Sequence, residues 1–157
     1  MKSFDGVAAL AREAGRDLGV TRWRELGQAE VVRFADATGD RQWIHVDPGR
    51  AAAGPFGGTV AHGYYLLSLF PVLLGEIFEL RGIGAVINTG VDELRFHRPV
   101  PVGARFRAAA RLERVDVNRR GVAELAFSVA VHVEGREDPA CTALVKQMVR
   151  PPVSRPV

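Results

Sequence analysis

Across 157 residues there is a single cysteine, Cys141, so no disulfide can close within the chain and stability has to come from packing or association. A reducing compartment fits that count. Charge of one sign is also scarce. The 21 Lys and Arg residues against 18 Asp and Glu leave a net +3, and no basic block resembles the runs that mark nucleic-acid arms or membrane-surface clusters. Neither a nucleic acid nor a membrane is expected as a partner. A membrane-spanning helix needs ~20 uninterrupted apolar residues, and none is present: the longest apolar stretch, Val60 to Phe78, contains Pro71 and is bounded by His62 and Glu76. Met1 to Gly15 carries Asp5, Arg12 and Glu13 among its apolar residues. That is not the pattern of a secretory signal, and a cytoplasmic location is expected.

What remains is an ordinary core-forming composition, 47% hydrophobic and 25% charged, sized for one domain over residues 1–157. No Ser/Gly/Pro-rich linker or internal repeat divides it. The first half reads as helical and the second as strands, an α+β class. Helices are expected over Phe4 to Ala14, ending at Gly15, and over Ala29 to Ala37, ending at Thr38-Gly39-Asp40. Val60 to Phe78 is apolar on nearly every side, which predicts a central buried helix kinked at Pro71. Period-two alternation predicts strands at Val86 to Phe96, Ala104 to Val117, Val122 to Glu134 and Ala140 to Val149. Their short connections make them antiparallel, so a sheet wrapped around one long apolar helix accounts for the hydrophobic residues.

Chemistry-bearing residues gather between the first helices. Asp47 followed by Pro48 reads as an N-cap and a first helical residue, opening a short helix through Ala53. Asp40 and His45 lie five residues apart in a loop that can turn both inward, and a carboxylate and an imidazole sharing one water suit acid–base chemistry near neutral pH. Read from residue types alone, a turn aspartate and a surface histidine account for the same pattern. Gly54 to Gly63 forms a glycine-rich approach to the central helix, where the Gly63 N–H could receive a carbonyl oxygen, or where the glycines simply serve tight turns. His132 falls on the polar face of its strand, His97 in a loop, and Cys141 in a strand as an inert thiol. No set of His, Cys and carboxylates has metal-ligand spacing, so neither a metal nor another cofactor is expected.

Two separated motifs in this order, Ala37-Thr-Gly-Asp-Arg-Gln-Trp-Ile-His45 and Phe56-Gly-Gly-Thr-Val-Ala-His-Gly63, resemble the signature of the MaoC-like (R)-specific enoyl-CoA hydratases, also called hydratase 2. The resemblance covers essentially the whole chain and is nearest to the single-hotdog, NodN-like branch. It implies a hotdog fold whose sheet grips the Val60 to Phe78 helix. It also implies that Asp40 and His45 are the catalytic pair and that Gly63 is the backbone donor to the thioester carbonyl. Many members have Asn-Pro where this chain has Gln42-Trp43; Gln42 keeps an amide that can bond within the loop, while Trp43 could reshape the acyl tunnel. His62, at the helix entry, and Asn88, polar in an apolar strand, complete the substrate-binding candidates, although a bulge near Gly90 would equally explain Asn88.

The resemblance implies (R)-specific hydration of a trans-2-enoyl-CoA, an acyl-CoA thioester substrate, and a homodimer, since two-repeat relatives carry two hotdogs in one chain and this chain supplies one. Two alternatives stay open: a 3-hydroxyacyl-thioester dehydratase acting on CoA or acyl-carrier-protein substrates, or, less favoured, a thioesterase; and a non-catalytic acyl-CoA binding module.

Overall fold

The computed structural model describes residues 1–152. The domain expected over 1–157 includes residues 153–157, which lie outside the described residues.

Three long strands carry the fold: β6 (Arg105–Val117), β7 (Ala123–Val133) and β8 (Cys141–Arg150). Their alternation is the reason they form. Phe106, Ala108, Ala110 and Leu112 on β6, and Leu125, Phe127, Val129, Val131 and Val133 on β7, turn to one face and are buried, with the intervening residues on the other face. Asn118 makes the β6–β7 turn, its Oδ1 accepting from the N–H groups of Arg120 and Val122. β5 (Ala85–Phe96) pairs with β8 rather than with its successor β6, and β2 (Arg16–Val20) pairs with β6, so the strands run β2-β6-β7-β8-β5 with every neighbour antiparallel.

The concave face of this sheet holds two helical segments, α5 (Gly63–Ser68) and α6 (Phe70–Ile77). Phe70, Leu73, Leu74 and Ile77 bury themselves against Phe127 and its neighbours. This is the hotdog arrangement, an antiparallel sheet wrapped around a central apolar helix in an α+β domain. Among the described residues no helix is long and apolar enough to cross a membrane.

Three expectations need correction. The Phe4 to Ala14 helix is instead a strand, β1 (Lys2–Asp5), and a short helix, α1 (Val7–Ala11), because Gly6 takes φ 79 between them and breaks any continuous helix. Three further strands, too short for their alternation to show, also form: β2 (Arg16–Val20), β3 (Arg24–Glu25) and β4 (Phe78–Arg81), the last pairing parallel with β1. The central helix begins at Gly63 rather than Val60, since Val60 is held in a bridge to Pro101; it is interrupted at Leu69, just before Pro71, and ends at Ile77. Finally, that helix is not buried all round. Tyr64 is 68% and Val72 56% exposed, and apolar Val86, Ile87, Val91 and Phe96 on the edge strand β5 are exposed beside them.

Phe127 is fully buried under the helix, stacked 5.5 Å from Phe78. Phe127→Ala is expected to cost ~3–5 kcal/mol, read by urea unfolding; a loss under 1 kcal/mol would show that this contact does not anchor helix to sheet.

Candidate active site

Helix α2 (Gln28–Thr38) ends on Gly39, whose left-handed φ of 80 reverses the chain and launches the loop that carries Asp40. A one-turn helix, α3 (Trp43–Val46), follows and bears His45; α4 (Pro48–Ala52) begins beyond it with Asp47 as its cap, Oδ1 accepting from the Arg50 N–H at 3.0 Å. Gln28, first residue of α2, locks the assembly: its Nε2 donates to the His45 carbonyl at 2.7 Å and its Oε1 accepts from the Thr59 hydroxyl at 2.5 Å. The Thr59–His62 approach is stitched in turn to Ile44, through the Val60 N–H, and to Val100, through the Ala61 N–H.

His45 is 6% exposed and His62 2%. Their rings stack at 3.8 Å with planes 26° apart, and the Phe34 ring of α2 meets His62 at 5.0 Å, tilted by 57°. Each imidazole meets a backbone carbonyl, which can only accept a hydrogen bond. His45 Nδ1 therefore donates to Val60 O at 2.7 Å, leaving Nε2 as its lone-pair nitrogen. His62 Nε2 donates to Asp40 O at 2.8 Å, leaving Nδ1 unprotonated. Burial pushes the His45 pKa below its ordinary value; the Val60 bond opposes that, His62 adds to the lowering and the Asp40 charge opposes it.

Asp40, His45 and His62 each bring one donor atom within 4.8 Å of the others, a cluster the sequence spacing did not reveal, and it could hold a metal ion. Ring planes stacked at 3.8 Å and only 26° apart keep the in-plane lone pairs of the two imidazoles from converging on one point, whereas a zinc ion needs them to converge at ~2.0–2.1 Å. A carboxylate oxygen of Asp40 and a ring nitrogen of His45 lie within 4.8 Å, a gap that one water bonded to each at ~2.7–3.2 Å can span.

A cavity of about 260 Å³ opens in front of His45, lined also by Ile44, Phe56, Gly63, Leu66 and Phe96. Gly63, the first residue of α5, has an N–H without an intrahelical acceptor by position. A Cβ there would lie 2.9 Å from the Phe96 ring, so any residue larger than glycine must displace that ring.

The other candidates fall elsewhere. His62 packs behind His45 and does not line the cavity. Gln42 is exposed and its side chain makes no capping bond; the loop is closed by its backbone carbonyl, which accepts from the His45 N–H at 2.9 Å. Trp43 turns away from the cavity, against Gly54 and under Arg50, whose guanidinium sits 4.5 Å from the ring centre. Asn88 accepts from Gln147 Nε2 at 3.0 Å and faces a separate groove beside Pro71, roughly 25 Å along β5 from Phe96 at ~3.4 Å per residue. Conversely, Phe96, His97 and Arg98 line the cavity without having been singled out as site residues; their only signal was their place at the end of a strand facing the helix. Cys141 is buried and its thiol pushed up to about 11 by burial, which removes it as a nucleophile.

The family model "MaoC like domain" matches residues 9–134. The chain belongs to the MaoC-like family. It is 48% identical over 143 residues to 3-hydroxyacyl-thioester dehydratase Z of Mycobacterium tuberculosis, covering 91% of this chain and 95% of that protein. Nodulation protein N of Rhizobium meliloti is 40% identical over 143 residues, 90% of this MaoC-like chain and 87% of its own length. Among solved structures, the (R)-hydratase of A. caviae involved in PHA biosynthesis superposes with a TM-score of 0.68 at 28% identity, covering 89% of this chain and 97% of that one.

Gly63→Ala should push the Phe96 ring and narrow the cavity of this MaoC-like domain. Because Phe96 is partly exposed and can yield, the stability loss is expected at the low end of the ~1–3 kcal/mol typical of overpacking. Urea unfolding reads it, and an unchanged midpoint would mean that the ring does not rest on residue 63.

Proposed function

We propose that this chain interconverts trans-2-enoyl-CoA and (R)-3-hydroxyacyl-CoA, adding water across the conjugated double bond in fatty-acid metabolism. The observation that carries the reading is the approach of Asp40, exposed and itself outside the cavity lining, to within 4.8 Å of His45, whose Nε2 lone pair is left free by the Val60 bond and which lines a cavity together with Gly63. Attack of water at Cβ builds negative charge on the thioester oxygen, so a donor is needed there, and the Gly63 N–H serves. Asp40 and His45 hold the water. As the C–O bond forms, His45 Nε2 takes one proton from the water, and the pair returns one proton to Cα, so the enzyme ends each cycle as it began. Dehydration is the same path reversed; the 48% identical dehydratase supports that direction equally. CoA enters as part of the substrate, no further cofactor is invoked, and a reducing cytoplasm suits the lone, buried Cys141. A non-catalytic acyl-CoA binding module would have no use for the assembled pair.

Each of Asp40→Asn and His45→Ala is expected to lower kcat for crotonyl-CoA by ~10²–10⁴, measured as loss of enoyl absorbance, with circular dichroism unchanged. The wild-type product should be the (R)-alcohol. Since the base form of His45 is the active one and its pKa is lowered, activity should persist at neutral pH and fall only below the ordinary histidine value of ~6.5. Near-normal turnover by either variant sinks the assignment; binding of crotonyl-CoA without hydration by the wild type transfers it to the binding module.

The β5 edge, with Val86, Ile87, Val91 and Phe96 exposed beside Tyr64 and Val72, offers the free outer edge of a twelve-residue strand, paired on its other side with β8, next to an apolar helix face. Such an edge is a template for another strand, and we infer a homodimer formed across it. Sedimentation should give twice 17.1 kDa, and Val91→Lys should shift it to the single-chain mass; a wild type that sediments as one chain overturns the inference.

A further inference from the structure

His62 is the buried group of the site to which the proposed chemistry gives no work. Its ring meets those of Phe34 and His45, is 2% exposed, and is absent from the cavity wall. Nδ1 has no hydrogen-bond partner although it is fully buried. A phenyl ring would fill this slot without stranding a polar atom, so the imidazole calls for a polar reason. Its Nε2–H supplies one by holding the Asp40 carbonyl at 2.8 Å, where the Asp40 amide has only a long 3.4 Å contact to the Thr38 hydroxyl. Its face supplies another. With a ring stacked at 3.8 Å and Nδ1 tied to Val60, His45 has no freedom to swing its plane. One side chain thus touches both members of the pair, which come from different segments.

We propose that His62 is a positioning residue for hydration: its Nε2–H fixes the backbone of Asp40 and its stacked ring fixes the plane of His45, so that the two groups holding the water keep one relative geometry. This rests on the reading of Asp40 and His45 as the catalytic pair. The ionisable groups acting on His45 are His62, which lowers its pKa, and Asp40, which raises it; the element packed on His62, α2, presents the apolar ring of Phe34.

The test compares His62→Phe, which keeps the stack but loses the N–H, with His62→Gln, which keeps an N–H but loses the ring. For crotonyl-CoA, His62→Phe should lose about 10²-fold in kcat, as misplacement of reacting groups does, with KM nearly unchanged. Its acid limb should move to higher pH because the lowering influence on His45 is gone. His62→Gln should recover part of kcat. A folded His62→Phe with wild-type kcat and an unmoved acid limb overturns the proposal. Should that variant not fold, ring ¹⁵N shifts of the wild type decide: Nδ1–H on His45 and Nε2–H on His62 support it, and the opposite tautomer on either ring overturns it. If Asp40→Asn and His45→Ala are inactive while both His62 variants turn over normally, the positioning role alone fails; if the Asp40 and His45 variants are active, the functional reading itself fails.

Discussion

The hydrogen bond from His45 Nδ1 to the Val60 carbonyl, 2.7 Å long, is the contact on which the rest of the site depends. It determines which imidazole nitrogen is free, and it does so by tying a one-turn helix too short to hold itself to a segment held by the sheet. Val60 is bridged to Pro101, the Ala61 N–H donates to Val100 and the Val102 N–H donates to Thr59. Residues 100–102 are the chain leaving β5 for β6, so the orientation of a side chain on the helical half is set by the strand half. A shift of the sheet against the helix would be felt at Nε2 before it was felt in the core.

Burial of His45 works in the same direction as the chemistry proposed for it. Removing the ring from water disfavours the imidazolium, and the neighbouring imidazole adds to that, while the Val60 bond and Asp40 partly offset it. The outcome is a ring that stays a free base at neutral pH yet, once protonated, is a stronger acid than an exposed histidine. A reaction that runs through the same transition state in both directions needs that balance, because the proton taken during hydration must be given back during dehydration.

Strand alternation made the sheet legible: the four long strands were expected within about a residue of where they lie, and the buried faces of β6 and β7 were read correctly. The failures have physical causes. Strands of two to five residues, β1 to β4, are too short to show a period, and they owe their existence to pairing partners far away in sequence. Order in the sheet was equally hidden, because β5 crosses to pair with β8 and no local pattern records a crossover. At the candidate site, the motifs drew attention to Asp40, His45 and Gly63, and the structure brings Asp40 and His45 within 4.8 Å of each other. The stacking of His62 on His45 was not legible, since residues 17 apart meet only when the approach loop folds back. Neither was the turn of Trp43 onto Gly54, which follows from the absence of a side chain at residue 54.

The open side of the molecule bears on which acyl chain the proposed reaction accepts. Apart from the His45 cavity, a separate path runs along α5 and α6 past Leu67 and Pro71, with Gly90 and Val91 of β5 opposite, and adjoins the Asn88–Gln147 pair. One wall of that path is the central helix and the other is an edge strand whose apolar side chains face outward uncovered. A short acyl group needs only the cavity, whose lining is complete within one chain. A longer one would lie against Val91 and Val86, where its own burial, at ~0.8 kcal/mol per CH₂, depends on whether a second strand closes the edge. If the proposed reaction takes long acyl chains and the inferred homodimer forms across β5, what covers that edge would set how much of an acyl tail lying in this groove leaves water.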